Sequence, residues 1–121
     1  MTRIDTNYII RYLINDNEEM ANIAEELLTT QEVFIANEIF AEVVYVLSGV
    51  YKISKENIAF QLSELIRFKN INTSNQEVLL KALDIFQDKN LDFVDCLLCA
   101  YSKEDTIITF DKKLNKCITL E

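Results

Sequence analysis

Apolar residues recur along this chain in two rhythms. A short opening, Arg3-Ile4, predicts a strand that Asp5 ends, and Tyr8, Ile9, Tyr12 and Leu13 then recur at helical spacing. Asn17 is placed to cap a second helix running to about Thr29, with Ile23, Ala24, Leu27 and Leu28 facing inward. Val33-Phe34-Ile35-Ala36 is a compact apolar run bounded by polar residues, the pattern of a buried parallel strand. Asn37 opens a helix holding Ile39, Phe40, Val43, Val44, Val46 and Leu47, and Gly49 is placed to stop it.

The second half continues the alternation. Ser54 starts a helix with Ile58, Leu62, Leu65 and Ile66 on one side, and Ile71-Asn72-Thr73 is a weak strand. Ser74 and Glu77 have capping-box spacing before Val78, Leu79, Ala82, Leu83 and Phe86. Asp92 opens a helix through Tyr101. Thr106-Ile107-Ile108-Thr109-Phe110 is the clearest strand pattern; Asp111 follows it, then a short basic helix, then Cys117-Ile118-Thr119 as a last strand. Strands alternating with helices predict an α/β fold, a single domain over residues 1–121 with a central parallel sheet. In such sheets the functional crevice lies beyond the carboxyl ends of the strands.

That rule directs attention to acids. Asp5 and Asp111 follow strands directly, while Glu42 and Asp95 each lie about one turn into a helix that starts near the same edge. Carboxylates from four separated segments meeting on one rim repel one another, and a bound cation relieves that repulsion. A set of oxygen donors without histidine or thiolate favours a hard ion, Mg²⁺ or Mn²⁺. Such an ion aligns a phosphodiester and ionises a water. Other readings stand beside this one. Asp92 and Asp95 have capping-box spacing, Asp111 is placed to cap the helix after it, and Glu38 shares a helix face with Glu42. Glu42 is the better choice of the two glutamates because it adjoins Ile39 and Val46. Asp5 is the hardest to assign to capping alone, since it is expected at the end of a central strand.

Composition narrows the picture. The chain has 121 residues, half of them hydrophobic, enough for a core without a structural metal. No apolar run approaches the ~20 residues needed to span a bilayer, and Met1 to Asp5 lack a signal-peptide pattern, so a soluble cytoplasmic protein is expected. The net charge is −8, which disfavours a protein that coats nucleic acid through a broad basic face but not an enzyme with an acidic metal site and a few local bases. With no histidine, neither a histidine acid–base pair nor a Ser-His-Asp triad is available. Cys96 and Cys99 form a C-x-x-C in an apolar helical run, but with one further cysteine, Cys117, and no second pair they read as small buried hydrophobes rather than as zinc ligands or a disulfide framework.

The segments IDTNYIIRYL, VFIANEIFAEVVYVLSGVY, LDFVDCLLCAYS and IITFDKKLNK resemble, in order and spacing, the four signature blocks of the PIN-domain family, and the resemblance covers nearly the whole chain. It implies a three-layer α/β/α sandwich and Mg²⁺- or Mn²⁺-dependent cleavage of RNA. Short members of the family are often the toxin half of bacterial toxin–antitoxin pairs, the VapC-like group, so an antitoxin partner is implied as well. Carried over by position, Asp5, Glu42, Asp95 and Asp111 form the acidic site, with Asn7 and Thr109 as small polar residues beside it. The chain stops soon after the last block, so its final strand is expected to be reduced. Near the rim, Arg11, Lys112, Lys113 and Lys116 are the bases placed to meet RNA phosphate. Phe60 and Phe68 add apolar surface to their helix that suits a homodimer, an antitoxin helix or ordinary core. Beside the toxin, two further functions fit this sequence: an RNA-processing PIN nuclease without an antitoxin, and an RNA-binding module that has kept the fold without chemistry.

Overall fold

A computed structural model describes residues 1–121, which form two compact units, Met1–Ser74 and Asn75–Glu121. The first unit contains β1 (Thr2–Arg3), α1 (Thr6–Ile14), α2 (Glu18–Thr30), β2 (Val33–Phe34), α3 (Asn37–Gly49), α4 (Lys55–Ile66) and β3 (Ile71–Asn72). Its three strands are parallel in the order β1-β2-β3, with Thr2 opposite Val33 and Val33 opposite Ile71. The α/β class with a parallel sheet is therefore as expected. One detail differs: β2 is the central strand and β1 lies at an edge, so Asp5 follows an edge strand and its side chain is exposed.

The strands are short, and side chains extend their pairing. The Asn70 amide donates to the Leu28 and Gln31 carbonyls, both at 2.7 Å, which ties the entry of β3 to the end of α2. Asn72 donates to the Glu32 carboxylate at 2.8 Å. The Arg3 guanidinium lies 4.6 Å from the centre of the Phe34 ring on the neighbouring strand, a cation–π contact. Phe40, Val43, Val44 and Leu47 of α3 and Ile58, Leu62, Leu65 and Ile66 of α4 are buried as their spacing predicts. On α2 the inward stripe is Ala21, Ala24 and Leu28, while Ile23 is half exposed, so the buried face is rotated from the expected one. Gly49 ends α3 without a positive φ; the left-handed residue that turns the chain is Lys52, at φ 57°.

The second unit contains α5 (Gln76–Asp88), α6 (Phe93–Tyr101) and α7 (Lys112–Leu120). Asn75, not Ser74, caps α5, accepting from Val78 N–H at 3.1 Å. Phe86 and Phe93 meet edge to face with ring centres 6.0 Å apart, joining α5 to α6. Lys81 and Glu121 form an ion pair at 2.7 Å that joins α5 to the end of α7.

Three expectations fail in this unit. Residues 106–110 make no strand, and Ile108 and Phe110 are 88% and 103% exposed. A strand needs a neighbour for its N–H and C=O groups, and every regular element of this unit is a helix. Cys117-Ile118-Thr119 is not a strand but the second half of α7, where Leu114 and Cys117 share the buried face at helical spacing. That placement brings Cys117 to Cys99 on α6, and the two form a disulfide with Cα atoms 6.1 Å apart, inside the usual range. Of the three, Cys96 alone keeps the buried thiol expected of all, and its Sγ donates to the Leu91 carbonyl at 3.8 Å.

Candidate active site

Each acid's place follows from a local rule. In the first unit, α1 and α3 begin just past the carboxyl ends of adjacent parallel strands and pack against each other. Asp5 is the N-cap of α1: its Oδ1 accepts from Tyr8 N–H at 3.2 Å, which leaves Oδ2 for another donor or a cation. Glu42 lies in the second turn of α3. It is exposed, as is Glu38 one turn earlier, so burial does not rank the two glutamates.

The second unit brings three carboxylates into electrostatic contact. Asp92 caps α6, accepting from Asp95 N–H at 2.9 Å, and this bond sets the turn that carries Asp95. Asp111 caps α7, accepting from Leu114 N–H at 2.8 Å. Partial burial raises the Asp95 pKa above the ordinary carboxylate value, and the neighbouring charges of Asp92 and Asp111 raise it further. Capping and charge clustering thus coexist: Asp92 and Asp111 spend one oxygen on a backbone N–H and still act on Asp95.

Thr109 is tied to the residues around Asp111. Its hydroxyl accepts from Asp111 N–H at 3.0 Å, and its carbonyl accepts from the Asn115 amide at 3.0 Å. Asn115, one turn into α7, thereby fixes the bend that presents Asp111. The sequence reading missed it, although an Asn four residues after a capping Asp is a visible signal.

The remaining positions divide. Asn7 is exposed on the first turn of α1 and lines a cavity of about 160 Å³ with Tyr8, Arg11, Met20, Ile23 and Ala24. Arg11 is already engaged: it donates to Asp16 and, at 2.6 Å, to the Tyr51 hydroxyl, and both partners hold it charged. Tyr51 lies 40 residues away and carries no local signal for this pairing. Lys112, Lys113 and Lys116 are exposed on α7, and Lys113 and Lys116 line a second cavity.

Neither unit by itself draws three acidic or thiol side chains to metal-ligand spacing. The donor chemistry nonetheless fits a divalent cation. The candidates offer only carboxylate oxygens, and Asp95 lies where neighbouring negative charge is already costly in the absence of a counterion.

A VapC ribonuclease of Aquifex aeolicus (strain VF5) is 24% identical over 123 residues, spanning 96% of this chain and 91% of the relative. No solved structure matches. The family model for the PIN domain matches residues 3–117, running through both units and across all four acids. The chain therefore belongs to the PIN-domain family.

Proposed function

We propose that this protein is a divalent-metal-dependent endoribonuclease and the toxin of a toxin–antitoxin pair. The observation that carries the reading is the match to the PIN-domain family over residues 3–117, which spans Asp5, Glu42, Asp95 and Asp111. Similarity to a VapC ribonuclease supports RNA as the substrate. Asp5, Glu42, Asp95 and Asp111 would hold Mg²⁺ or Mn²⁺, which when bound supplies charge neutralisation for a phosphodiester and acidifies a water.

The chain's own residues do the positioning. Asp92 holds the first turn of α6 and so aims Asp95, while Thr109 and Asn115 hold the bend that presents Asp111. Asn7 supplies a small polar group beside Asp5. Lys112, Lys113 and Lys116 supply positive charge next to Asp111 for an RNA backbone. Arg11 belongs to this set by position, although Asp16 and Tyr51 hold its guanidinium. The partners in this reading are a small antitoxin and a second copy of the chain. Tyr45 and Val50 on and just after α3, and Phe60 on α4, are among the exposed apolar side chains and suit that role, while Phe68 is only partly exposed.

No helix is long and apolar enough to cross a membrane, and we place the protein in the cytoplasm with its RNA substrate. Disulfides are rare in a reducing cytosol, so in that compartment Cys99 and Cys117 are expected as thiols and the bridge between them forms on oxidation.

The test is incubation of purified protein with structured and single-stranded RNAs in Mg²⁺, Mn²⁺ or EDTA. Cleavage should require metal and be lost in Asp5→Asn. Undiminished cleavage in EDTA, with the Asp5→Asn preparation clean, would rule out the mechanism. Expression alone should arrest growth, and co-expression of a neighbouring antitoxin should restore it; harmless expression of metal-competent protein would point to an RNA-processing nuclease instead.

A further inference from the structure

In a chain of 20 acids and 12 bases, a cavity lined by lysines and by no acid stands apart. The second unit has one, of about 340 Å³, between the α5–α6 turn and one face of α7. Its walls are Lys89, Asn90 and Leu91 from the turn and Lys113, Lys116, Cys117 and Leu120 from α7. We propose that this cavity binds a backbone phosphate of single-stranded RNA next to the one being cleaved, with Lys113 and Lys116 as its principal contacts.

Four observations carry this. The first is charge: Lys113 and Lys116 are exposed on the cavity wall and no carboxylate is among the lining residues, so an anion enters without a metal, while Lys89 beside them already interacts with Glu121. The acid cluster offers the reverse environment, where a phosphate needs a cation first. The second is position. Leu91 immediately precedes Asp92, and Lys113 and Lys116 follow Asp111 on α7, so the cavity borders both helix starts that carry the acids. At 1.5 Å per residue, Lys113 and Lys116 lie about 3 and 7.5 Å along the axis from Asp111.

The third is the kind of base. Lysine is a flexible point charge, suited to backbone phosphate and indifferent to base identity. The fourth is the rest of the wall. Leu91, Leu120 and the side of Cys117 give an apolar surface for the sugar or base attached to that phosphate, and the Asn90 amide can serve a ribose hydroxyl. Duplex RNA is read by shape across two successive grooves, which one such cavity does not span; a splayed single strand fits it. The choice of RNA as the source of the phosphate rests on the ribonuclease reading above.

The experiment measures binding of a fluorescent single-stranded RNA of about ten nucleotides, in EDTA so that cleavage plays no part, over a range of salt. The variants are Lys113→Gln/Lys116→Gln and a charge-matched control, Lys69→Gln/Lys103→Gln, with circular dichroism to verify the helices. The cavity variant should bind several-fold more weakly, and its slope of log affinity against log salt should be less steep by about 0.7 per lysine, the single-strand value. The control should follow wild type. Backbone amide resonances of Leu91 and of Lys113–Leu120 should shift on adding the RNA.

Equal affinity and slope in wild type and cavity variant would overturn the proposal. So would shifts produced by inorganic phosphate with RNA binding indifferent to the lysines, since the site would then serve a free anion. Failure of the ribonuclease reading looks different: lysine-dependent RNA binding would persist with no cleavage in Mg²⁺. Cleavage with lysine-independent binding would remove this inference, together with the RNA contacts given to Lys113 and Lys116, and leave metal-dependent ribonuclease activity standing.

Discussion

The Cys99–Cys117 bridge offers the sharpest test of the second unit. Both sulfurs are buried, at 0% and 1% residue exposure, so after reduction the thiols remain small hydrophobes in the same core and the packing loss is slight. The main effect of the bond is on the unfolded chain. With a sequence separation of 18, the chain-entropy relation gives about 3 kcal/mol at 25 °C. At roughly 3–5 °C per kcal/mol for a chain of this size, reduction should lower the melting temperature by roughly 10–15 °C. The bridge also joins the helix carrying Asp95 to the helix that Asp111 caps, so the change reports on the frame that holds the second unit's acids. The assay is a thermal melt of air-oxidised protein with and without a small dithiol, beside Cys117→Ser. Thiol titration under denaturing conditions fixes the state: one thiol, Cys96, in the oxidised form and three after reduction. Cys117→Ser should melt near the reduced wild type and ignore the reductant. Three thiols after oxidation, or melts that coincide with and without dithiol, would refute the reasoning.

Three other outcomes follow from the site. Asp95→Asn should raise the metal-free melting temperature and shrink the stabilisation given by Mg²⁺. Because the folded Asp95 pKa lies above its unfolded value, its charge costs stability at neutral pH, and that cost is relieved as pH falls through the folded pKa. The gain from Asp95→Asn should therefore fade in mildly acidic buffer; a mutant that melts lower without metal, and shifts as much as wild type with it, would make Asp95 a structural residue only. Glu42→Gln should abolish cleavage and Glu38→Gln leave most of it, read as initial rates in saturating Mg²⁺, and the reverse ranking would move the site one turn up α3. Arg11→Gln should lower the melting temperature through loss of the Asp16 and Tyr51 contacts, and a melt identical to wild type would refute that role; weaker RNA binding by the same variant would support Arg11 as an RNA contact as well.

Much of this protein was decided by patterns short enough to read along the chain. The helical periods of α3, α4 and α5 located the buried faces, because one turn repeats the same environment every three or four residues. The caps at Asn17, Ser54 and Asp92 were legible because a side-chain oxygen reaches a backbone N–H only two or three residues on. Four acids stood out for a related reason: each lies just after an expected strand or about a turn into a helix, and the family blocks arrive in order.

Tertiary structure decided what depends on distant neighbours. The run Thr106–Phe110 has ideal strand composition, yet a strand exists only where another backbone pairs with it, and its own unit supplies helices alone. Cys117 looked like part of a last strand; in α7 it turns inward beside Leu114 and meets Cys99, a pairing that no spacing rule contains. The charge of Arg11 is visible along the chain, whereas its pairing with Tyr51, 40 residues away, is not. The lysine cavity likewise joins Lys89 and Asn90 to Lys113 and Lys116 across the intervening helix α6. Local chemistry is written in neighbouring residues, whereas strand pairing, disulfides and charge pairs depend on which surfaces the folded chain brings face to face.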